Sequence, residues 1–142
     1  MTVPAQQFPF VPRESSLSEA SLAPMLELSL AGKQSVVTSG LVDSGAAVNV
    51  LPYSLGTQLG FEWEQQTQSV KLSGNLASVE SRVVVLSALV GSFPSVRLAF
   101  AWAEMDDISV ILGQVNFFLE FDVCFFRSRG LFEIRPKLDS GD

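Results

Sequence analysis

The chain has 142 residues, of which 47% are hydrophobic and 17% charged, so one domain with a substantial core is expected. The formal net charge of −6 argues against a nucleic-acid partner, because such a protein normally carries a basic patch. Histidine is absent and Cys124 is the only cysteine, which excludes Ser-His-Asp and Cys-His catalysis and His-ligated zinc. If the protein is an enzyme, carboxylates are expected to do the chemistry, without a metal or a cofactor.

Both ends of the chain are predicted to be flexible. Residues 1–22 contain prolines followed by serines, which is typical of a flexible N-terminal arm, although the apolar stretch Phe8–Val11 also fits an edge strand or a dimer contact. Residues 138–142 are expected to form a flexible tail, which leaves 23–137 as the folded domain. The chain shows no apolar run of about 18 residues and no signal-peptide pattern, so a cytoplasmic protein without a membrane partner is expected.

The first half of the domain is predicted to consist of short strands. Apolar and polar residues alternate over Leu26–Leu30, and an extended pattern resumes over Ser35–Leu41, which together predict a hairpin around the turn Ala31–Lys33. A short apolar strand is predicted over Val48–Leu51. One or two helical turns are expected over Tyr53–Leu59.

A long hairpin is predicted in the middle of the chain. Extended runs over Gln66–Leu72 and Ala77–Leu86 flank Ser73–Asn75, which contains a glycine and is a natural hairpin tip. The β-branched residues before Leu86 favour a buried strand. The next strand is predicted over Val96–Ala101.

The C-terminal part is predicted to add one helix and three strands. A buried strand over Val110–Leu112 precedes the best helix candidate, Gln114–Glu120, and a hairpin of Val123–Phe126 with Leu131–Ile134 closes the domain. Apolar neighbours of Cys124 predict a buried, unreactive thiol. The predicted fold class is therefore all-β, a closed barrel with one short C-terminal helix.

One segment places an aspartate where a buried strand ends. The apolar pair Leu41-Val42 runs into Asp43-Ser44-Gly45, and a second apolar strand follows at once. Aspartate is a poor strand residue and is rarely buried, so its position here calls for a reason. The same tripeptide recurs at Asp139-Ser140-Gly141 without a buried strand before it, and this copy is interpreted as part of a frayed terminus.

The segment Leu41-Val42-Asp43-Ser44-Gly45-Ala46 resembles the active-site turn of the retropepsins. Val110-Ile111-Leu112-Gly113, directly before the predicted helix, resembles the second motif of the same family, and the predicted long hairpin lies between the two motifs. The stretch from about residue 22 to 137 is similar to bacterial, particularly cyanobacterial, retropepsin-like proteins. The resemblance implies a single-lobe acid-protease barrel and an aspartic peptidase.

The resemblance also implies roles for individual residues. Asp43 would be the catalytic carboxylate, Ser44 would keep the hydroxyl that locks paired turns together, and Gly45 would let the backbone pass close to the substrate. The substrate would be held beside Ala46 and under a flap formed by the hairpin tip. The flap residues are Leu72, Ser73, Gly74, Asn75 and Leu76, and the residues supporting the active-site turn are Ile111, Leu112 and Gly113.

The mechanism of such an enzyme requires two copies of this chain. Peptide hydrolysis without a covalent intermediate uses one carboxylate as base and one as acid, and two close aspartates share a proton. Because each chain supplies one aspartate on this scaffold, a homodimer acting on a peptide or protein substrate is expected.

Three alternatives stay open at this point. A binding or assembly module of the same fold would show little turnover. Self-processing of the arm near Phe8-Pro9 or Phe10-Val11 is a weaker idea. Asp106-Asp107 fits a solvated loop better than a metal site, because its spacing matches no known metal loop.

Overall fold

The computed structural model describes residues 3–13 and 22–138. These residues form strands β1 (Gln6–Pro9), β2 (Val11–Pro12), β3 (Leu22–Ala23), β4 (Met25–Ala31), β5 (Ser35–Val42), β6 (Asn49–Leu51), β7 (Ser81–Val90), β8 (Val96–Ala103), β9 (Val110–Leu112), β10 (Phe121–Phe126) and β11 (Leu131–Pro136). Helices α1 (Tyr53–Gln58) and α2 (Phe117–Glu120) and three short 3-10 turns, Trp63–Gln65, Gly74–Leu76 and Arg127–Arg129, complete the described elements.

Six strands close into a barrel in the order β4-β5-β9-β6-β8-β7. The alternation seen in the sequence explains the inside of this barrel: Leu26, Leu28 and Leu30 of β4 are buried, while Glu27 between them is exposed. Strand β5 runs parallel to β9, and β6 runs parallel to β8. The all-β closed barrel predicted from the sequence is confirmed.

Aromatic side chains cluster around Trp102 of β8 in the core. Trp102 is fully buried, its indole N–H donates to the backbone O of Tyr53 at 2.9 Å, and the Tyr53 ring stacks on it. Trp63 packs edge-on against Trp102 and carries the guanidinium of Arg82 over its ring at 4.4 Å. Large buried rings each contribute on the order of 2–3 kcal/mol to folding. Both tryptophans are therefore packing residues of the core.

A separate three-stranded sheet in the order β1-β11-β10 lies outside the barrel. Phe8 of β1 stacks on Phe132 of β11 with ring centroids 5.6 Å apart, which gives this short strand an apolar anchor. The described start of the predicted arm is thus the edge strand that the apolar stretch Phe8–Val11 also fitted. Residues 14–21 and the second Asp-Ser-Gly copy at 139–141 lie outside the described residues, so the domain boundaries stay predictions.

The middle of the chain departs from its prediction. The first arm of the predicted long hairpin, Gln66–Leu72, is not a strand, and its ladder contact with β7 is the single bridge Ser69–Arg82. The predicted hairpin tip is a 3-10 turn, Gly74–Leu76. Few ladder hydrogen bonds hold this segment, because an extended pattern in sequence does not by itself supply a pairing partner.

Two further predictions are corrected by the C-terminal part. Helix α2 begins at Phe117 rather than Gln114, because the preceding segment is extended: Val115 forms a parallel bridge with Val48, and its N–H donates to the O of Ala47. Cys124 is exposed, so the prediction of a buried thiol is wrong. It shares the outer face of the three-stranded sheet with its partner Glu133, since side chains alternate along β10.

No helix in the described ranges is long and apolar enough to cross a membrane.

Candidate active site

Asp43 stands directly after the last residue of β5. Its backbone N–H donates to the O of Leu112 at 3.0 Å, which extends the parallel pairing of β5 with β9 by one residue. Val42 before it is buried, whereas Asp43 is half-buried. The carboxylate therefore emerges from the barrel wall on a backbone held by two strands, which limits its movement.

A tight turn follows and holds the carboxylate. Asp43 Oδ1 accepts a hydrogen bond from the N–H of Gly45 at 2.9 Å, and the N–H of Ala46 donates to the Asp43 backbone O at 3.2 Å. An aspartate that accepts from the backbone two residues later is a common way to build such a turn. A Cβ on Gly45 would lie 3.3 Å from Asp43 Oδ1, so glycine keeps this approach free. Ser44 and Gly45 are exposed at the tip.

The loop after β9 braces the Asp43 turn from behind. A Cβ on Gly113 would lie 2.5 Å from the O of Val48 and 2.8 Å from the O of Ala46, and both are backbone atoms that cannot move aside cheaply. The N–H of Gln114 donates to Ala46 O at 2.9 Å, and Gln114 Nε2 donates to Ser44 O at 2.8 Å. Glycine at 113 thus allows close contact between the two loops that carry the sequence motifs.

A buried amide that sequence reasoning missed ties these loops to the barrel. Asn49 is 0% exposed, and its Oδ1 accepts from the N–H of Gly113 at 2.8 Å. Its Nδ2 donates to the O of Ala99 at 3.0 Å and to Oδ1 of Asn116 at 3.2 Å. A buried amide with all three bonds made rigidifies its surroundings. The signal in the sequence was a lone polar residue inside the apolar strand Val48–Leu51.

Asp43 opens onto a cleft of about 600 Å³. This volume falls in the range of about 300–1,000 Å³ that ligand sites occupy. Asp43, Gly45 and Ala46 line it together with the segment Leu72–Leu76, so the structure brings together these predicted site residues. Ile111 also lines the cleft.

The segment Leu72–Leu76 packs differently from a hairpin flap. Leu72 is buried in a small apolar cluster with Val50, Ala101 and Ala103, which anchors one end of the segment. Ser73, Gly74 and Asn75 are exposed, and Gly74 has φ +64° with open space around the position of a Cβ. The segment is therefore anchored at Leu72 and free at its tip.

The rest of the cleft is mainly apolar, with a few charges. Apolar lining residues are Ala47, Val48, Val50, Met105 and Ile108, and the charged ones besides Asp43 are Arg13, Lys71 and Asp107. Asp106, which precedes Asp107 in the chain, has a structural partner: its Oδ1 accepts a hydrogen bond from the backbone N–H of Ser54 in α1 at 2.6 Å. Within residues 3–13 and 22–138, His, Cys, Asp and Glu form no group of three that could hold a metal ion.

Ser44, Leu112 and Gly113 do not line this cleft. Leu112 and Gly113 act on it from behind, through the backbone bond to Asp43 and the contact with Ala46. Ser44 lies instead on a groove on the other side of the turn. The predicted residues thus fall into a cleft-facing set and a supporting set.

Two solved protease structures are similar to this fold. A retropepsin-like aspartic protease from Rickettsia conorii superposes with a TM-score of 0.61 and 13% identity, over 94% of this chain and 92% of that chain. The EIAV protease in complex with the inhibitor HBY-793 gives a TM-score of 0.53 and 17% identity, over 70% of this chain and 88% of that chain. No family model and no curated protein sequence matches the chain. The protein has the retropepsin-like fold, as the motifs around Asp43 and Gly113 implied.

Proposed function

We propose that the protein is an aspartic endopeptidase whose catalytic carboxylate is Asp43. The observation that carries this proposal is the placement of Asp43, on a hydrogen-bonded turn at the end of a barrel strand and at the mouth of a 600 Å³ cleft. The retropepsin-like fold supports it, because both similar structures are proteases by name. Asp107, a second carboxylate on the cleft, lies in an exposed loop.

The chemistry needs a second carboxylate, and a second copy of the chain would supply it. One aspartate removes a proton from the attacking water while the other, protonated, donates to the carbonyl oxygen of the substrate. Two carboxylates in contact cannot both ionise readily, so they share one proton. A two-fold axis beside Asp43 would bring the two carboxylates together and create one site per dimer.

The cleft indicates the kind of substrate. Its apolar lining favours apolar side chains on both sides of the bond that is cut, and its open form suits an extended peptide. The segment Leu72–Leu76 would cover the bound peptide and exclude water, since its tip is exposed and free.

The test is replacement of Asp43 with asparagine or alanine. Both variants are expected to lose at least ~100-fold in the rate of cleavage of a peptide library, because the acid–base group is gone. Glu27→Gln is the matched control, since it removes an exposed carboxylate from the outer face of β4. Cleavage at the wild-type rate by either Asp43 variant would show that Asp43 is not catalytic.

The alternative function is a binding or assembly module of the same fold. One observation favours it, namely that the predicted flap tip, which lines the same cleft as Asp43, is a 3-10 turn over Gly74–Leu76 and not a hairpin. Such a module would bind peptides without cutting them, with equal affinity in the wild type and in Asp43→Asn. Self-processing near Phe8-Pro9 would first require opening of the β1–β11 pairing.

A further inference from the structure

Two cationic side chains line the cleft that contains Asp43. Arg13 follows strand β2 and Lys71 directly precedes the segment Leu72–Leu76, so two residues distant in the chain meet at one cavity. Both are exposed, whereas Asp43 is half-buried, which places the cations at the rim of the cleft. The chain contains only nine Lys and Arg residues against 15 Asp and Glu, so two of its few cations stand beside this mainly apolar site.

Within residues 3–13 and 22–138, neither of these cations is paired with a carboxylate. The ion pairs of the described ranges involve Arg82, Arg135 and Lys137 instead. Asp107 lines the same cleft, but it forms no ion pair with either rim cation. A cation that is not already neutralised attracts an anionic group of a ligand, and such complementary charges determine which ligand is preferred.

The backbone on both sides of Lys71 is held in place. The N–H of Val70 donates to the O of Ser81 at 3.1 Å, and the Ser81 hydroxyl donates in return to the O of Val70. Leu72, the next residue, is buried in the small apolar cluster described above. The ammonium group therefore extends from a fixed origin, which lowers the entropy cost of using it to bind a ligand.

We infer that Lys71 and Arg13 select peptides that carry an aspartate or glutamate, an inference that rests on the proposed function. Apolar side chains of the substrate would fill the cleft around Asp43, and the acidic side chain would lie at the rim, away from the bond that is cut. The net charge of −6 repels acidic peptides at long range, so the preference has to come from these two cations locally. An ion pair between exposed groups gives a modest preference, about 2- to 5-fold.

The test uses apolar peptides in which one position at a time carries glutamate or glutamine. Binding is measured by fluorescence anisotropy in Asp43→Asn, from which no cleavage is expected, and kcat/KM is measured in chains that keep Asp43. At one or more outer positions the glutamate peptide should be favoured about 2- to 5-fold. Lys71→Gln should reduce this ratio, Lys71→Arg should retain it, and the double variant Arg13→Gln/Lys71→Gln should abolish it.

A control variant and the ionic strength separate charge recognition from a structural role. Lys33→Gln removes an exposed lysine between β4 and β5 that does not line the cleft, so it should keep the wild-type ratio. The glutamate preference should disappear at about 1 M salt, where the Debye length is only about 3 Å. A role of Lys71 in packing alone would not produce this salt dependence.

Two results would overturn the inference: equal use of glutamate and glutamine peptides at every position, and a preference that persists unchanged in the double variant. The proposed function fails separately. Cleavage without a glutamate preference would leave the peptidase and remove the selectivity, whereas a glutamate preference in binding without any cleavage would leave the selectivity and remove the peptidase. A chain that neither binds nor cleaves any of the peptides would overturn both.

Discussion

Replacement of Asn49 with aspartate tests whether the buried amide supports the loops around the Asp43 turn. The two side chains have the same shape, so the change leaves the packing intact and replaces the Nδ2 donor with an acceptor. The N–H of Gly113 keeps its acceptor, Oδ1, at 2.8 Å. The new carboxylate oxygen would face the O of Ala99 and Oδ1 of Asn116, which the amide reaches at 3.0 and 3.2 Å.

The cost of this change follows from the lost contacts. Two donated hydrogen bonds disappear, each worth roughly 0.5–1.5 kcal/mol, and two acceptors then face another acceptor. At neutral pH the introduced carboxylate would also be a buried charge without a partner, so a total of about 3–5 kcal/mol is expected. That is a large part of the roughly 5–15 kcal/mol by which domains are stable. The melting temperature should fall by roughly 10–20 °C.

The loss of stability in Asn49→Asp is expected to depend on pH, and to be larger at neutral than at acid pH. Burial among oxygens raises the pKa of the carboxyl that Asn49→Asp introduces above its unfolded value of about 3.9. A carboxyl whose pKa is raised in the folded protein stabilises the fold fully below its unfolded pKa. This stabilisation is lost as the pH rises through the pKa of the folded protein. The deficit relative to wild type should therefore shrink by at least about 1 kcal/mol between about pH 7 and about pH 4.

Denaturant unfolding of both proteins at the two pH values is the assay. Subtraction of the wild type removes the titration of the other carboxylates, and Gln65→Glu, an exposed amide-to-acid change, should stay within about 0.5 kcal/mol. A deficit in Asn49→Asp below about 1 kcal/mol, or one that does not change with pH, would refute the role given to this buried amide.

The other predictions concern Gly113 behind the Asp43 turn, the contact of Arg82 with Trp63, and the Cys124 thiol. Gly113→Ala should cost about 1–3 kcal/mol and reduce peptidase activity, since its Cβ would lie 2.5 Å from a backbone oxygen. Gly130→Ala is the control: its left-handed φ of +68° should cost about 1–2 kcal/mol in melting, but open space surrounds its Cβ and peptidase activity should stay unchanged. Arg82→Met should cost about 1–2 kcal/mol in thermal unfolding and alter tryptophan fluorescence, because it removes a 2.7 Å bond to Trp63 O and the cation over that ring. An unchanged spectrum and stability would contradict that role. Cys124 should react with a thiol reagent in the native protein, one equivalent per chain; no reaction before denaturation would contradict its exposure.

Much of the barrel could be predicted because its signals are local. The alternation over Leu26–Leu30 and the turn after it specify a hairpin with one buried face, and the structure has this hairpin as β4 and β5. The Asp43-Ser44-Gly45 turn is likewise local, since its carboxylate accepts from the N–H of Gly45 two residues away. Short-range geometry of this kind is visible in the order of the residues.

Other features depended on partners that are distant in the chain. Asn49 bonds to residues 50 and 67 positions away, so its burial and its support of Gly113 could not be inferred from its neighbours. The start of α2 was mispredicted for the same reason, because Val115 is held extended by a bridge to Val48, which is distant in the chain. Cys124 has apolar neighbours, yet the pairing of β10 with β11 turns its side chain outward.

The sequence by itself determined the barrel strands, the aspartate turn and the glycine of the second motif, because each depends on residue type and on neighbours close in the chain. Only the tertiary structure decided that the two motifs touch, that Leu72–Leu76 lines the same cleft as Asp43, and that Ser44 lies on a separate groove. These arrangements arise from strand register and from hydrogen bonds between distant segments. Both are set when the barrel closes, since a backbone group that bonds across the barrel is no longer available to its own segment.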